Sequence, residues 1–453
     1  MYQAQSARML VEGRRTARKG GRGAPRFAGV SRNVVVLGTV SLLTDVSAEM
    51  VAAVLPIYLV VSLGVSPLQY GIVDGLYHGA AALVRLAGGF TADRWRRYKE
   101  VAVAGYGLSA AAKAGLVTFG GSLGAVTGIV LADRAGKGIR TAPRDALIAL
   151  SSSPTALATA FGVHRAMDTA GALAGPLVAF GLLLAAPGRF DAIWVVSLCF
   201  AVAGLAVLAL LADGRPRARA KALARGRAQC GGRHPDAPEQ ASGATDAGVA
   251  VRDVTARPRP REAALLLARP RFRRLAVAAG LLGAVTISDA FVYLSLQRAV
   301  GLPLTAFPLL FVGSAAVFMA LAIPVGRLAD RVGRVPVFIG GYSLLLAVYV
   351  ALLAPAAGLL TVGVVLAALG AYYAATDGVL QAIASAALPD RLRATGLAVL
   401  VTGVGLAKLV ASIAFGAAWT LGGLETATAA FAVALVLALA ATARLLTRPV
   451  SLT

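Results

Sequence analysis

Acidic residues are few in this chain, cysteine is nearly absent and histidine is rare: 21 Asp and Glu, two Cys and three His in 453 residues. Cys199 lies in an apolar run and Cys230 in a polar one, so they build no disulfide framework, and neither falls in a CxxC metal or redox motif. There is no H-E-x-x-H helix to hold a catalytic zinc and no G-x-x-x-x-G-K-[ST] loop to cradle nucleotide phosphates. A membrane metalloprotease or an ATP-driven pump encoded in this chain therefore finds no support. Charged residues make up 14% of the chain, against about 25% in ordinary soluble domains. What is abundant is apolar, at 58%, and a chain this apolar cannot cover a water-facing surface.

The net charge of +23 is concentrated in a few places: residues 1–32, the stretch from Asp213 to Arg274, and the loops Arg94 to Lys99 and Arg331 to Arg334. Between them lie apolar stretches of about 20 residues, the length that crosses a bilayer. They fall at 33–62, 68–92, 101–119, 122–149, 157–185 and 192–211, then at 275–299, 305–327, 336–354, 359–387, 395–421 and 425–446. The expected fold is all-α, with twelve transmembrane helices in two pseudo-symmetric six-helix halves. The halves are 33–212 and 275–446, with a basic tail at 1–32, an Arg-, Pro-, Ala- and Gly-rich linker at 213–274 and a short tail at 447–453. The first apolar stretch is too long for a signal-peptide core and is expected to be retained. If both termini are cytoplasmic, every basic cluster faces inward and the opposite loops hold little beyond Arg189 and Arg298. The positive charge then orients the chain and attracts anionic inner-leaflet lipid, rather than binding nucleic acid. The composition suggests a bacterial plasma membrane, and a design in two halves works as a monomer.

The halves repeat one another. Gly89, Asp93, Arg94 and Arg97 after the second stretch match Gly326, Asp330, Arg331 and Arg334 after the eighth. Thr44-Asp45 pairs with Ser288-Asp289, and Ala160-Phe161-Gly162 with Ala394-Thr395-Gly396, each at an offset of about 240 residues, as duplication produces.

With these motifs the sequence resembles the major facilitator superfamily across all twelve stretches. The repeated loop follows that family's G-x-x-x-D-R-x-G-R-[RK] signature, with Arg96 in place of the usual glycine in the first copy. An Asp among arginines at a helix end can hold neighbouring ends by charge-assisted hydrogen bonds that break when the halves rock. The resemblance thus implies a conformational latch at these eight residues. The fourth stretch is similar to the family's R-x-x-Q-G motif, with Arg134 and Gly138 in place and Lys137 at the amide position. That similarity implies a part in proton transfer for Arg134. Gly162, Gly171, Gly175 and Pro176 follow the glycine spacing of the family's antiporters, where small residues allow close helix approach. A narrower likeness, to a bacterial subgroup, rests on Thr44 to Met50, Gly136 to Ala146 and His164 to Asp168.

Ionisable side chains at bilayer depth cost about 2.5–3.5 kcal/mol each on insertion scales and usually face a watery cavity or a partner. Asp45 and Glu49 share one face of the first helix, Asp74, His78 and Arg85 one face of the second, and His164 and Asp168 one face of the fifth. Arg134, Lys137, Arg140 and Arg144 form a stripe on the fourth. The second half holds fewer charges, Asp289, Asp377 and Lys408, which suggests a smoother, more apolar wall.

Two carboxylates on one face repel each other and favour proton uptake, so Asp45 and Glu49 are the first candidates for proton coupling, with Arg134, His164 and Asp168 beside them. Candidate substrate contacts are Asp74, His78, Lys137, Arg140, Arg165, Asp289 and Asp377. The expected function is secondary transport, proton-coupled export of a small organic molecule, with no enzymatic step and no cofactor. Two alternatives stay open: an anionic cargo held by Arg134, Lys137, Arg140 and Arg165, or a divalent metal held by Asp45, Glu49 and His78.

Overall fold

The computed structural model describes residues 30–79, 97–152, 156–214, 266, 268–354, 358–388 and 393–447, and every regular element among them is helical. Helix α1 runs Arg32–Ile57 and continues as a π turn over Tyr58–Ser62. It starts where Ser31 is extended and its Oγ accepts from the Val34 amide at 3.4 Å. Pro56 in its last α-helical turn removes a ladder donor just before the winding widens.

Helix α2 occupies residues 67–79. It is followed by α3 (Tyr98–Phe119), α4 (Leu123–Leu150), α5 (Leu157–Ala185) and α6 (Phe190–Leu211). Beyond the linker come α7 (Pro270–Ala284), α8 (Asp289–Val300), a 3-10 turn at Leu304–Ala306, α9 (Phe307–Val332), α10 (Arg334–Leu352) and α11 (Leu359–Ala387). Last is α12 (Arg393–Thr447), whose two arms meet at Gly423, where φ is 81°.

Among the described residues nine stretches are long and apolar enough to cross a membrane. Helix α4 is not one of them, because Asp133, Arg134, Lys137, Arg140, Arg144 and Asp145 break its apolar run. Side chains such as Leu210, Leu360 and Leu421 are 81, 82 and 88% exposed, an apolar exterior suited to lipid. The elements run alternately up and down, so residues 30, 214 and 447 share one end of the bundle, here termed proximal, and Ser62, Val300 and Gly423 share the distal end.

Two packing groups result. In one, α1 lies against α5 and α6, and α3 against α4 and α6; in the other, α9 and α10 lie on α11, and α7 and α10 on α12. Contacts of α1 and α5 with α8 and α9 join the groups. Helix α2 meets α12 almost at backbone distance: a Cβ on Gly71 would stand 2.5 Å from the Ser412 carbonyl oxygen, and one on Gly75 2.9 Å from that of Leu409.

Three expectations change. The seventh stretch, expected as one helix over 275–299, is broken at 285–288. Its β-branched run Val285-Thr286-Ile287 is a poor helix former, and the freed backbone groups are taken up by Tyr349, whose hydroxyl accepts from the Ile287 amide (2.7 Å) and donates to the Val285 carbonyl (3.1 Å). Arg271, Arg273 and Arg274, assigned to the linker, stand in the first turns of α7.

The glycine spacing on α5 serves packing unevenly. A Cβ on Gly171 would lie 2.4 Å from the Leu42 carbonyl oxygen and one on Gly175 2.8 Å from the Met50 nitrogen, so both admit α1, whereas Gly162 has no described atom within 4 Å of such a Cβ. Pro176 sits one residue beyond Gly175 inside α5.

Gly171→Ala is expected to lower stability in detergent by about 1–3 kcal/mol through overpacking, and Gly162→Ala to leave it unchanged or slightly raised. Thermal melts of the purified variants, measured by tryptophan fluorescence, check the pair.

Candidate functional site

The close packing of α1 on α5, of α2 on α12 and of Gly105 on Gly136 brings the charged faces of α1, α2, α4 and α5 together. They enclose a cavity of about 340 Å³ between the two groups of helices, and Asp45, Glu49, Asp74, His78, Lys137 and Asp168 line it from the first group. The broken segment between α7 and α8 supplies Thr286 to Asp289 from the second, with Tyr373 and Lys408 beside it. A second lobe of about 330 Å³ shares His78, Asp289, Tyr373 and Lys408 with the first and extends past Asp377 and Gln381 to Leu400 near the proximal end. On the distal side the described residues close the space. The Leu68 amide donates to Thr420 Oγ1 (3.0 Å), and Tyr70 packs edge-on against Phe291 at 4.9 Å between centroids.

At the centre, the Lys137 ammonium lies 3.5 Å from Asp45 and 3.7 Å from Glu49. The two carboxylates therefore do not confront each other alone, as the sequence suggested; one cation divides its charge between them. Asp45 is buried, with its side chain 8% exposed and Arg140 at 4.0 Å, while the Glu49 side chain is 32% exposed. Asp168 has partners on two helices besides its own: Ser41 Oγ donates to it at 2.6 Å, Arg144 lies at 3.7 Å and Arg165 at 3.4 Å. Asp74 accepts from Ser412 Oγ across the α2–α12 contact (2.5 Å) and lies 3.8 Å from His78. Asp289, the first residue of α8, accepts from the Tyr373 hydroxyl at 2.6 Å.

Several expected site residues turn away from the cavity. Arg134 is buried behind it, bound to Asp133 (2.7 Å) and to the Tyr77 hydroxyl (3.0 Å), with its guanidinium 4.4 Å from the centre of that ring. Asp133 also takes Lys113 at 3.1 Å. Arg140 stacks on Tyr106 at 4.3 Å, and Arg165 is occupied by Asp168. Arg140 and Arg165, expected as anion contacts, do not line the main lobe. His164 is buried one turn before Asp168 with its Nε2 unpartnered among the described residues, and it does not line the cavity either. The alternative metal set is not assembled, since Asp45 and Glu49 take Lys137 and His78 faces Asp74. Among the described residues no three His, Cys, Asp or Glu gather closely enough to hold a metal ion.

Of the expected latch, Gly89, Asp93 and Arg94 lie outside the described residues, and Arg97 stands just before α3. In the second copy Arg334 lies 3.4 Å from Asp330 and donates to the Ala382 carbonyl at 3.3 Å, which ties α9 and α10 to α11. Gly326 and Arg331 stand in the last two turns of α9, before Gly333, whose φ of 110° turns the chain into α10.

Sequence reasoning missed Lys113, Asp133, Ser41 and Ser412. Asp133 and Lys113 were recoverable as lone charges in apolar helices; the two serines carry no sequence signal, because only the packing shows which serines meet a carboxylate.

A mixed-charge cavity between two helical groups, closed distally and walled by a broken helix, is the geometry of alternating-access carriers. The sequence profile of the Major Facilitator Superfamily matches residues 37–321 and 275–453. This chain belongs to that superfamily. An uncharacterized MFS-type transporter of Methanocaldococcus jannaschii is 39% identical over 168 residues, 37% of this chain and 42% of that protein. An uncharacterized protein of Mycobacterium tuberculosis is 38% identical over 152 residues, 34% of this chain and 37% of that one. The matched region thus spans about two-fifths of these relatives.

Among solved structures, the nucleoside transporter NupG superposes with a TM-score of 0.68 at 15% identity, covering 92% of this chain and all of that one. A bacterial homolog of the human lysosomal transporter Spinster, inward-facing and unoccupied, gives 0.65 at 16% identity over 94% and 98%. These likenesses show the fold. The chain is a multi-pass membrane protein of the Major Facilitator Superfamily.

The buried Lys113–Asp133–Arg134 cluster makes one stability prediction. Asp133→Leu leaves two cations without their carboxylate and is expected to cost about 3–5 kcal/mol, with part of the loss recovered in Asp133→Leu/Lys113→Met. Urea titration of both variants in detergent micelles measures the difference.

Proposed function

We propose that this transporter exchanges protons for a small organic molecule bearing a basic nitrogen, and carries that molecule outward. The observation that supports this reading is the Asp45–Lys137–Glu49 cluster on the cavity wall. Glu49 shares its one ammonium with Asp45, which also has Arg140 at 4.0 Å, so Glu49 is the carboxylate whose charge either a proton or a cationic group can cancel. Both cannot do so at once without leaving excess positive charge at bilayer depth, so the two ligands displace one another, which is the requirement for antiport.

Glu49, the more exposed member, is the group that trades ligands, and Asp45 keeps Lys137 in place. Asp168, fixed by Ser41, Arg144 and Arg165, holds α5 to α1 and α4. Asp74 and Asp289 line the same lobe and offer further carboxylate contacts to a cation. With both termini cytoplasmic, the lobes that reach the proximal end open to the cytoplasm, and the positive-inside pattern of the sequence fits that orientation in a bacterial plasma membrane. In this scheme the superfamily loops are latches that reset as the halves rock, and a single chain completes the cycle as a monomer.

Proteoliposomes loaded with a pH-sensitive dye and challenged with pools of amines under an imposed pH gradient test the reading. Amine-dependent proton movement is expected for the native chain and a loss of at least tenfold for Glu49→Gln. Native proton flux in Glu49→Gln, or amine exchange that moves no protons, overturns it.

A further inference from the structure

The second lobe differs in chemistry from the first. Phe311, Phe318, Phe338, Tyr342, Tyr372 and Tyr373 supply its wall, from α9, α10 and α11. The rings hold one another in fixed, mostly edge-on arrangements: Tyr342 and Tyr372 lie 5.2 Å apart at 75°, and Tyr372 and Tyr373 4.9 Å apart at 53°. Tyr293, pinned to Ser314 at 2.5 Å and to Phe311 edge-on at 4.6 Å, closes the inner end. The expected smooth apolar wall is thus an aromatic slot in which Phe311 and Tyr373 are partly exposed and the other rings are buried, and edge-to-face and stacked contacts favour a planar ring over an alkyl chain of equal area.

Lys408 stands where the two lobes join. Its ammonium lies 6.0 Å from the centre of the Tyr373 ring, and among the described residues no carboxylate comes within ion-pair distance of it; Asp289, which accepts from the Tyr373 hydroxyl, lines both lobes with it. A cation at bilayer depth that faces a cavity and makes no direct ion pair is a place where an anionic group of a cargo can bind. The first lobe presents the opposite arrangement, a carboxylate pair with a single shared ammonium. The cavity therefore carries charges of both signs, and the aromatic slot opens beside Lys408.

We propose that the transported molecule is an aromatic amphoteric compound, one that carries a planar ring, an acidic group and a basic nitrogen. The ring enters the slot, the acid pairs with Lys408 and the basic nitrogen reaches Glu49. This assignment rests on the antiport reading only for the last contact. The ring and acid contacts stand on the slot and on Lys408.

Isothermal titration of the purified full chain in lipid nanodiscs at neutral pH, with four probes, tests it. The probes are 4-(aminomethyl)benzoate, benzylamine without the acid, benzoate without the amine, and 6-aminohexanoate without the ring. The full amphoteric probe is expected to bind at least tenfold more tightly than each of the other three. In Lys408→Gln its affinity falls to that of benzylamine while benzylamine itself is unaffected, and Lys408→Arg restores much of the difference. Phe311→Leu narrows the advantage over 6-aminohexanoate.

No binding of 4-(aminomethyl)benzoate to the folded native chain, equal affinity for 6-aminohexanoate, or equal losses for benzylamine and the full probe in Lys408→Gln overturns the proposal. Tight binding of the full probe without proton movement in proteoliposomes would overturn the antiport reading and leave the aromatic site standing. Proton antiport of simple amines with no preference for the full probe would do the reverse.

Discussion

A single ammonium shared between two carboxylates of one helix is the interaction on which the interior of this protein depends. Lys137 projects from a helix too charged to be a span by itself, and it finds Asp45 and Glu49 one turn apart on α1. Removing Lys137 takes the shared cation from both carboxylates in a low-dielectric wall, where the desolvation cost is then not recovered. The rest of the first half is arranged to keep those helices in register. Gly171 and Gly175 let α5 approach the backbone of α1, and Gly105 and Gly136 let α3 approach α4, so that side chains of ordinary length can reach one another.

Behind this wall is a second layer of charge that never meets the cavity directly. Lys113 and Arg134 share the Asp133 carboxylate, and Arg134 extends to Tyr77. The two layers differ in exposure and in partners. In the inner layer each charge has a fixed partner and holds helices together, while the cavity-facing layer includes Glu49 and Lys408, which retain access to water or cargo. Membrane insertion tolerates both because the charges point into protein and away from lipid.

The fold was legible in the sequence because its signals are long and repeated: apolar stretches, basic loops on one side and a motif that recurs after half the chain. Helix ends such as Leu157–Ala185 and Leu359–Ala387 coincide with the expected bounds. The break at 285–288 was not legible as such, since a β-branched run inside an apolar stretch interrupts a helix only where a partner like Tyr349 satisfies the freed backbone. Among the site residues, i,i+4 spacing correctly put Asp45 and Glu49 on one face, and the stripe on α4 was real. Spacing gives the angle of a side chain about its own helix and says nothing of what stands opposite. For that reason Arg140, which stacks on Tyr106, and Arg165, which meets Asp168, looked the same in sequence as Lys137, which faces the cavity.

The α2–α12 contact on the distal side has a consequence for how the carrier moves. Gly71, Gly75 and Gly416 bring backbone against backbone, so much of this seam is contact between main chains, with Leu409 and Ile413 side chains beside it. Dispersion contacts of this kind lose a quarter to a half of their strength within the first ångström of separation. The carbonyls involved stay hydrogen-bonded within their own helices, so parting strands few polar groups apart from the Asp74–Ser412 link. Such a seam behaves as a snap fastener rather than a spring: it resists small excursions stiffly and then yields.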